Sequence, residues 1–136
     1  MKEDNAKERL NELTEYVKRA PLHCGFIYVV REQRTRLVKI GYALDPIKRF
    51  QSIVSQVRGA MEALLRQIGN VEPEFELVTV VVASRDAEWF IHFLLKEARI
   101  AGEWYRESQI VDIVVNALEI LRLNNYCLIV DTVEPG

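Results

Sequence analysis

Apolar residues along this chain change their period several times, and each change marks an element. Ala6, Leu10, Leu13, Val17 and Ala20 recur at the spacing of one helical face, with mixed charges between them. This predicts an amphipathic helix over 1–20, capped near Asp4 or Asn5 and stopped by Pro21. GFIYVV at 25–30 is apolar on both faces and rich in β-branched and aromatic residues, which predicts a strand. REQRTR is a polar turn and LVKIGYA a second strand, so the pair is expected to form an antiparallel hairpin. Asp45-Pro46 then sets an acidic N-cap before a proline at the first helical position. Ile47, Phe50, Ile53, Val54, Val57, Met61, Leu64, Leu65 and Ile68 follow on a helical stripe that ends at Gly69-Asn70. Gly59 sits inside that stripe as a breaker and leaves one bent helix or two shorter ones open.

The run from Phe75 to Ala83 is apolar enough to be a central strand of a sheet. Ser84 is placed to cap a helix, RDAEWFIHFLLKEARI, with Gly102 as its stop. Ser108 is placed to cap another, QIVDIVVNALEILRL, which ends at Asn124-Asn125, and YCLIVDTV reads as a last strand. The predicted order is α-β-β-α-β-α-α-β. It describes one mixed α/β domain of the α+β type over 1–136, a small and largely antiparallel sheet with packed helices.

Composition narrows the setting more than the function. A chain of 136 residues, 49% hydrophobic and 28% charged, suits a single globular domain. No apolar run approaches the ~20 residues that span a bilayer, so no membrane partner is expected. The N-terminus has no apolar h-region, and Cys24 and Cys127 have no metal-ligand spacing; a cytoplasmic protein with reduced, buried cysteines is expected. Net charge is −2, yet residues 31–66 hold eight Lys/Arg against three acids, while 67–136 hold five against twelve. Such asymmetry is compatible with one basic face on an acidic body, or with an ordinary solvated surface.

Several polar residues sit where a scaffold does not require them: Tyr28 in the first strand, Lys39 in the second, Arg49 on the following helix, and Glu88 with His92 one turn on. Each has an ordinary structural explanation singly. A strand tyrosine packs its ring, a strand lysine snorkels, and Glu88/His92 is an i,i+4 pair.

Together they form a pattern. FIY at 26–28, KIG at 39–41, Ala43, Arg49 and Glu88 resemble the ordered motifs of the GIY-YIG nuclease superfamily. The strings KIGYALDPIKR, AEWFIH and GEWY look most like its phage-associated branch, which reads KIG in place of YIG and is described as DNA-binding or as a nuclease. The resemblance covers 25–106; the first helix and residues 107–136 are additions to that core. It implies a metal-dependent endonuclease that hydrolyses phosphodiester bonds in DNA. Tyr28 would be the base, Arg49 the phosphate clamp, and Glu88 the ligand of Mg²⁺ or Mn²⁺.

Beside that resemblance, a phenol that ionises near neutrality needs cationic neighbours, and Lys39 is placed to supply that field. His92 could orient a water or substrate. Arg36, Lys39, Lys48 and Arg49 are the basic residues expected to meet the DNA backbone. The chain departs from the superfamily at three points. Lys39 replaces a tyrosine, for which Tyr42 is a substitute on the opposite strand face. Ile53 stands where many members have histidine, and GEWY occupies the region of a late asparagine. The alternative is a non-cleaving DNA-binding module of the same fold. The last helix is apolar on more than one face, so it is either deeply buried or covered by a partner, as in a homodimer.

Overall fold

A computed structural model describes residues 24–56 and 59–130. The predicted N-terminal helix and the end of the predicted last strand lie outside them. The described residues form a mixed α+β fold with a five-stranded sheet and four α-helices. In chain order these are β1 (Gly25–Glu32), β2 (Val38–Ala43), α1 (Pro46–Ser55), α2 (Ala60–Ile68), β3 (Phe75–Ala83), α3 (Arg85–Leu94), β4 (Arg99–Ala101), β5 (Trp104–Tyr105) and α4 (Gln109–Leu123). The sheet order is β3-β1-β2-β5-β4, and every ladder in it is antiparallel.

The β1–β2 hairpin forms as its pattern predicts, with Tyr28 opposite Gly41 and Val30 opposite Lys39. β1 has a strand on each side and helices above and below, and is buried on both faces. Glu32 ends it as a wholly buried carboxylate, accepting from the backbone N–H groups of Thr35 and Glu74, both at 2.6 Å. Those donors replace the hydration that its oxygens give up on burial.

β3 was expected at the centre of the sheet and instead lies at its edge. Its apolar run is still buried because both faces are covered. α4 packs Val111, Val115 and Leu118 with Val81 and Ala83 on one side, while Ile47, Phe50 and Ile53 of α1 pack near Val80 and Val82 on the other. The exposed edge is covered at its C-terminal end by residues 126–130. There Leu128 forms a parallel bridge to Ala83, donates to the Val82 carbonyl at 2.8 Å and accepts from Ser84 at 3.0 Å. The predicted last strand is therefore, over its described part, a single bridge.

Asp45 caps α1 as expected, accepting from Lys48 N–H at 3.1 Å with Pro46 next in line. The apolar stripe breaks at Gly59 into α1 and α2, the two-helix outcome. α2 covers a satellite cluster in which Met61 and Leu65 meet Leu37, Phe75 and Trp104. Ser108 caps α4 through its hydroxyl, at 3.4 Å from Val111 N–H. Ser84 occupies the N-cap position of α3 but turns its hydroxyl to Val130 instead.

α3 departs most from the sequence pattern. It ends at Leu94 rather than near Ile100, passes through a 3₁₀ turn at Lys96–Ala98 and gives way to the β4–β5 hairpin. Gly102 makes that turn at φ +56, a left-handed conformation that glycine adopts without strain. α4 buries one side and leaves Ile110, Ile113, Ile120 and Leu123 exposed on the other. Cys24 is half-buried, and Cys127 is exposed rather than buried as expected. Among the described residues no helix is long and apolar enough to cross a membrane.

Candidate functional site

The sheet edge at β2 organises the site. β2 pairs with β5 only at Val38 and Lys39, so the edge beyond is open to side chains. The Ile40 N–H is taken by the Glu103 carbonyl at 3.2 Å, and the next outward N–H, that of Tyr42, donates to the Glu88 carboxylate. The β4–β5 turn and α3 thus close on the same edge and bring Glu103 to Glu88. His92, one turn after Glu88, completes the group: ligand atoms of Glu88, His92 and Glu103 lie within 4.8 Å of one another.

Gly41 lets the two faces of the sheet communicate at this edge. It has no side chain to separate the Tyr28 hydroxyl from Glu103, which approach to 3.5 Å over it. Lys39 projects on the Tyr28 face, its Nζ 3.4 Å from the same Glu103 oxygen and 5.4 Å from the Trp104 ring centre. Arg49, on exposed α1, stands close enough for its charge to act on the Tyr28 hydroxyl. Between α1 and β5 runs a cleft of about 210 Å³, lined by Lys39, Arg49, Ser52, Ile53, Gln56 and Trp104.

The electrostatics follow from burial and from crowded carboxylates. Burial, then the Glu103 charge, pushes the Tyr28 phenol well above its ordinary value of 10; Arg49 opposes this but does not reverse it. The sequence placed Lys39 as the cation that would ionise Tyr28. The structure pairs Lys39 with Glu103 instead, and Tyr28 keeps its proton and donates it to that carboxylate. Burial and Glu103 also raise Glu88 above the usual carboxylate range, although the Tyr42 N–H works against them. His92 is held below its ordinary 6.5 by burial, hence neutral at pH 7. Its Nδ1 hydrogen-bonds the Tyr105 hydroxyl, and the two rings stack with centroids 5.5 Å apart. Burial pushes Tyr105 up to about 12, so that hydroxyl is neutral too.

Two close carboxylates beside a neutral imidazole are a donor set for a divalent cation. His92 Nε2 is buried without a hydrogen-bond partner and lies 3.8 Å from Glu88 Oε2. In the tautomer that donates Nδ1–H to the Tyr105 hydroxyl, that nitrogen would present a lone pair towards the two acids, the arrangement of a histidine ligand and its outer partner. The residues fit Mg²⁺ or Mn²⁺, and the nitrogen favours the transition ion.

One consequence is measurable without any substrate. Glu88→Gln is expected to raise the melting temperature in chelator at neutral pH, because it removes one of two crowded charges. A gain of about 1–3 °C corresponds to a like-charge pair worth a few tenths of a kcal/mol. The gain should disappear below the ordinary carboxylate value of 4.5, where Glu88 is protonated in both folded and unfolded chains. Mn²⁺ is expected to stabilise the wild type and to stabilise this variant less.

Of the residues predicted from sequence, Tyr28, Lys39, Arg49, Glu88 and His92 come together. Tyr42 contributes its backbone N–H, while its ring lies on the opposite sheet face against Gly25 and the core. Lys48 is exposed on α1 and does not line the cleft. Arg36 lies in the β1–β2 turn, committed to Glu107 through two hydrogen bonds of 3.0 and 3.1 Å. Arg36→Ala is expected to leave nucleic-acid affinity within error of wild type, whereas Arg49→Ala reduces it and flattens its salt dependence; equal losses would reinstate Arg36.

Glu103 is the site residue that the sequence reading missed. Its signal was present as an acid directly after a turn glycine in GEWY. Strands of three and two residues, however, have no period to announce them. The chain matches no family model, no curated protein and no solved structure.

Proposed function

We propose that this chain is a metal-dependent DNA endonuclease with a GIY-YIG-like site. The observation that carries the reading is convergence. Tyr28, Arg49 and the Glu88–His92–Glu103 group come from four separate elements, yet they gather at one sheet edge, where Tyr28 and Glu103 meet over the side-chain-free position Gly41. Each has a use in phosphodiester hydrolysis, and a scaffold requires none of them there.

A divalent cation held by Glu88, His92 and Glu103 would supply Lewis-acid polarisation and an acidified water. The chain's own residues do the rest. Arg49 faces the cleft, where its planar fork suits a phosphodiester and neutralises charge that develops on it. Tyr28 is protonated at rest, so it serves as a relay rather than as a ready-made base. As its hydroxyl proton passes to Glu103, its oxygen takes one from the attacking water. Lys39 steadies the Glu103 carboxylate from 3.4 Å until that proton arrives.

The test is plasmid nicking with Mn²⁺ or Mg²⁺, comparing the wild type with Arg49→Ala and Glu88→Ala. Wild-type turnover should fall by roughly 10²–10³-fold or more in each variant. Equal activity in all three would sink the proposal. Salt-dependent binding without metal-dependent products would favour the non-cleaving DNA-binding alternative. The exposed Ile110, Ile113, Ile120 and Leu123 of α4 support self-association as a separate property, readable by light scattering.

A further inference from the structure

The cleft beside the site has one wall that phosphate chemistry does not explain. Lys39 and Arg49 line it as cations, but Trp104 lines it too, with Ser52 and Gln56 at the rim. The indole is set from behind. It packs with Leu37, Met61 and Leu65, and the Phe75 ring lies 6.5 Å away at a 41° tilt. Lys39, cross-strand from Trp104 on β2, reaches over the ring with its Nζ 5.4 Å from the ring centre, so cation and aromatic face meet in the cleft. The space, about 210 Å³, is smaller than the roughly 300–1,000 Å³ of pockets that enclose a drug-sized ligand. It suits one flat ring with a phosphate at its mouth.

We infer that the cleft takes a single unstacked nucleobase against Trp104 while Arg49 holds the adjoining phosphate, so that the preferred substrate is single-stranded DNA. The inference rests on the reading of Arg49 as the phosphate-binding residue and deepens it. A base inside a duplex has both faces covered by its neighbours and offers only its edges. A stacking wall is therefore reached by a base that has left the stack. Aromatic stacking is tolerant of sequence because every base has a π-face, and it is worth ~1–3 kcal/mol per base. Ser52 and Gln56 add a hydroxyl and an amide at the rim, where base edges arrive.

The chain has two tryptophans, and Trp89 is exposed, so a Trp89→Phe background leaves Trp104 as the reporter indole. The probe is a roughly 12-nucleotide single strand, within the usual 4–16-nucleotide site range, compared with its blunt duplex in chelator. The single strand is expected to quench Trp104 fluorescence and to bind more tightly than the duplex. Trp104→Leu should weaken single-strand binding by about 5–100-fold and leave duplex binding unchanged, while Trp104→Phe keeps most of it. Equal affinity for the two forms without quenching overturns the inference. That readout does not depend on whether Trp104→Leu folds.

The two readings fail separately. Duplex nicking with no preference for single strand, unchanged in Trp104→Leu, overturns the inference and leaves the nuclease standing. A single strand that binds and quenches but is not cut with Mn²⁺ upholds the inference and removes the nuclease.

Discussion

Gly41→Ala is expected to cost the folded protein about 1–3 kcal/mol and to abolish metal-dependent nicking. The backbone is not the reason, because Gly41 is not among the residues with positive φ. The reason is what stands over it. A Cβ there would overlap the Tyr28 hydroxyl and come within 2.6 Å of both Tyr28 Cζ and a Glu103 carboxylate oxygen. Glu103 is on a turn and can swing away. Tyr28 is wholly buried in a cluster with Phe26, Val30 and Val80, so its ring moves only by disturbing the core. The substitution therefore breaks the Tyr28–Glu103 contact whichever group yields. A melting temperature lowered by roughly 3–10 °C, together with loss of nicking, is the expected pair of results. An unchanged melt with full activity would show that Tyr28 does not sit where the mechanism needs it.

Glu103→Gln should lower turnover by about 10²–10⁴-fold, the range for loss of a positioned proton acceptor, with little effect on folding. Glutamine can still accept from the Tyr28 hydroxyl and keeps the shape of the turn. It cannot take the proton, balance Lys39, or offer a negative ligand beside Glu88. A spectroscopic sign accompanies the loss. Without the Glu103 charge the Tyr28 phenol should titrate lower than in wild type, yet still above 10, because burial is the larger cause of its shift and remains. Ultraviolet difference titration against Tyr28→Phe isolates that phenol. Adding Glu88→Gln should cost little more than either change alone, since both remove parts of one unit. Full activity in Glu103→Gln would reduce Glu103 to a partner of Lys39.

Much of the fold was legible because its signals are local. The Asp45-Pro46 cap, the hairpin through LVKIGYA and the β3 run each depend on residues a few positions apart, and each formed within the predicted bounds. What the pattern misplaced depended on covering. β3 reads like a central strand because both its faces are buried, and a run of valines does not reveal whether an edge is paired or covered. The helical stripe after Ser84 ran on because LLKEARI continues to favour helix. Pairing of Trp104 with Lys39 and of Tyr105 with Val38 outweighs that preference and draws residues 99–105 into the sheet.

The site divides in the same way. By itself the sequence determined which chemical groups were available, Tyr28, Lys39, Arg49, Glu88 and His92, and the local elements that hold most of them. Tertiary structure alone decided their partners. Glu103 is 75 residues from Tyr28, and no local period connects them. The β4–β5 turn brings them together, turns Lys39 from the cation that would ionise Tyr28 into the counter-charge of Glu103, and makes Glu103, with His92, a further candidate donor beside Glu88. The physical reason is range. Caps and periodicity act within a turn or two of chain, whereas a carboxylate's proton affinity and a lysine's partner are set by whatever the fold places within a few ångströms.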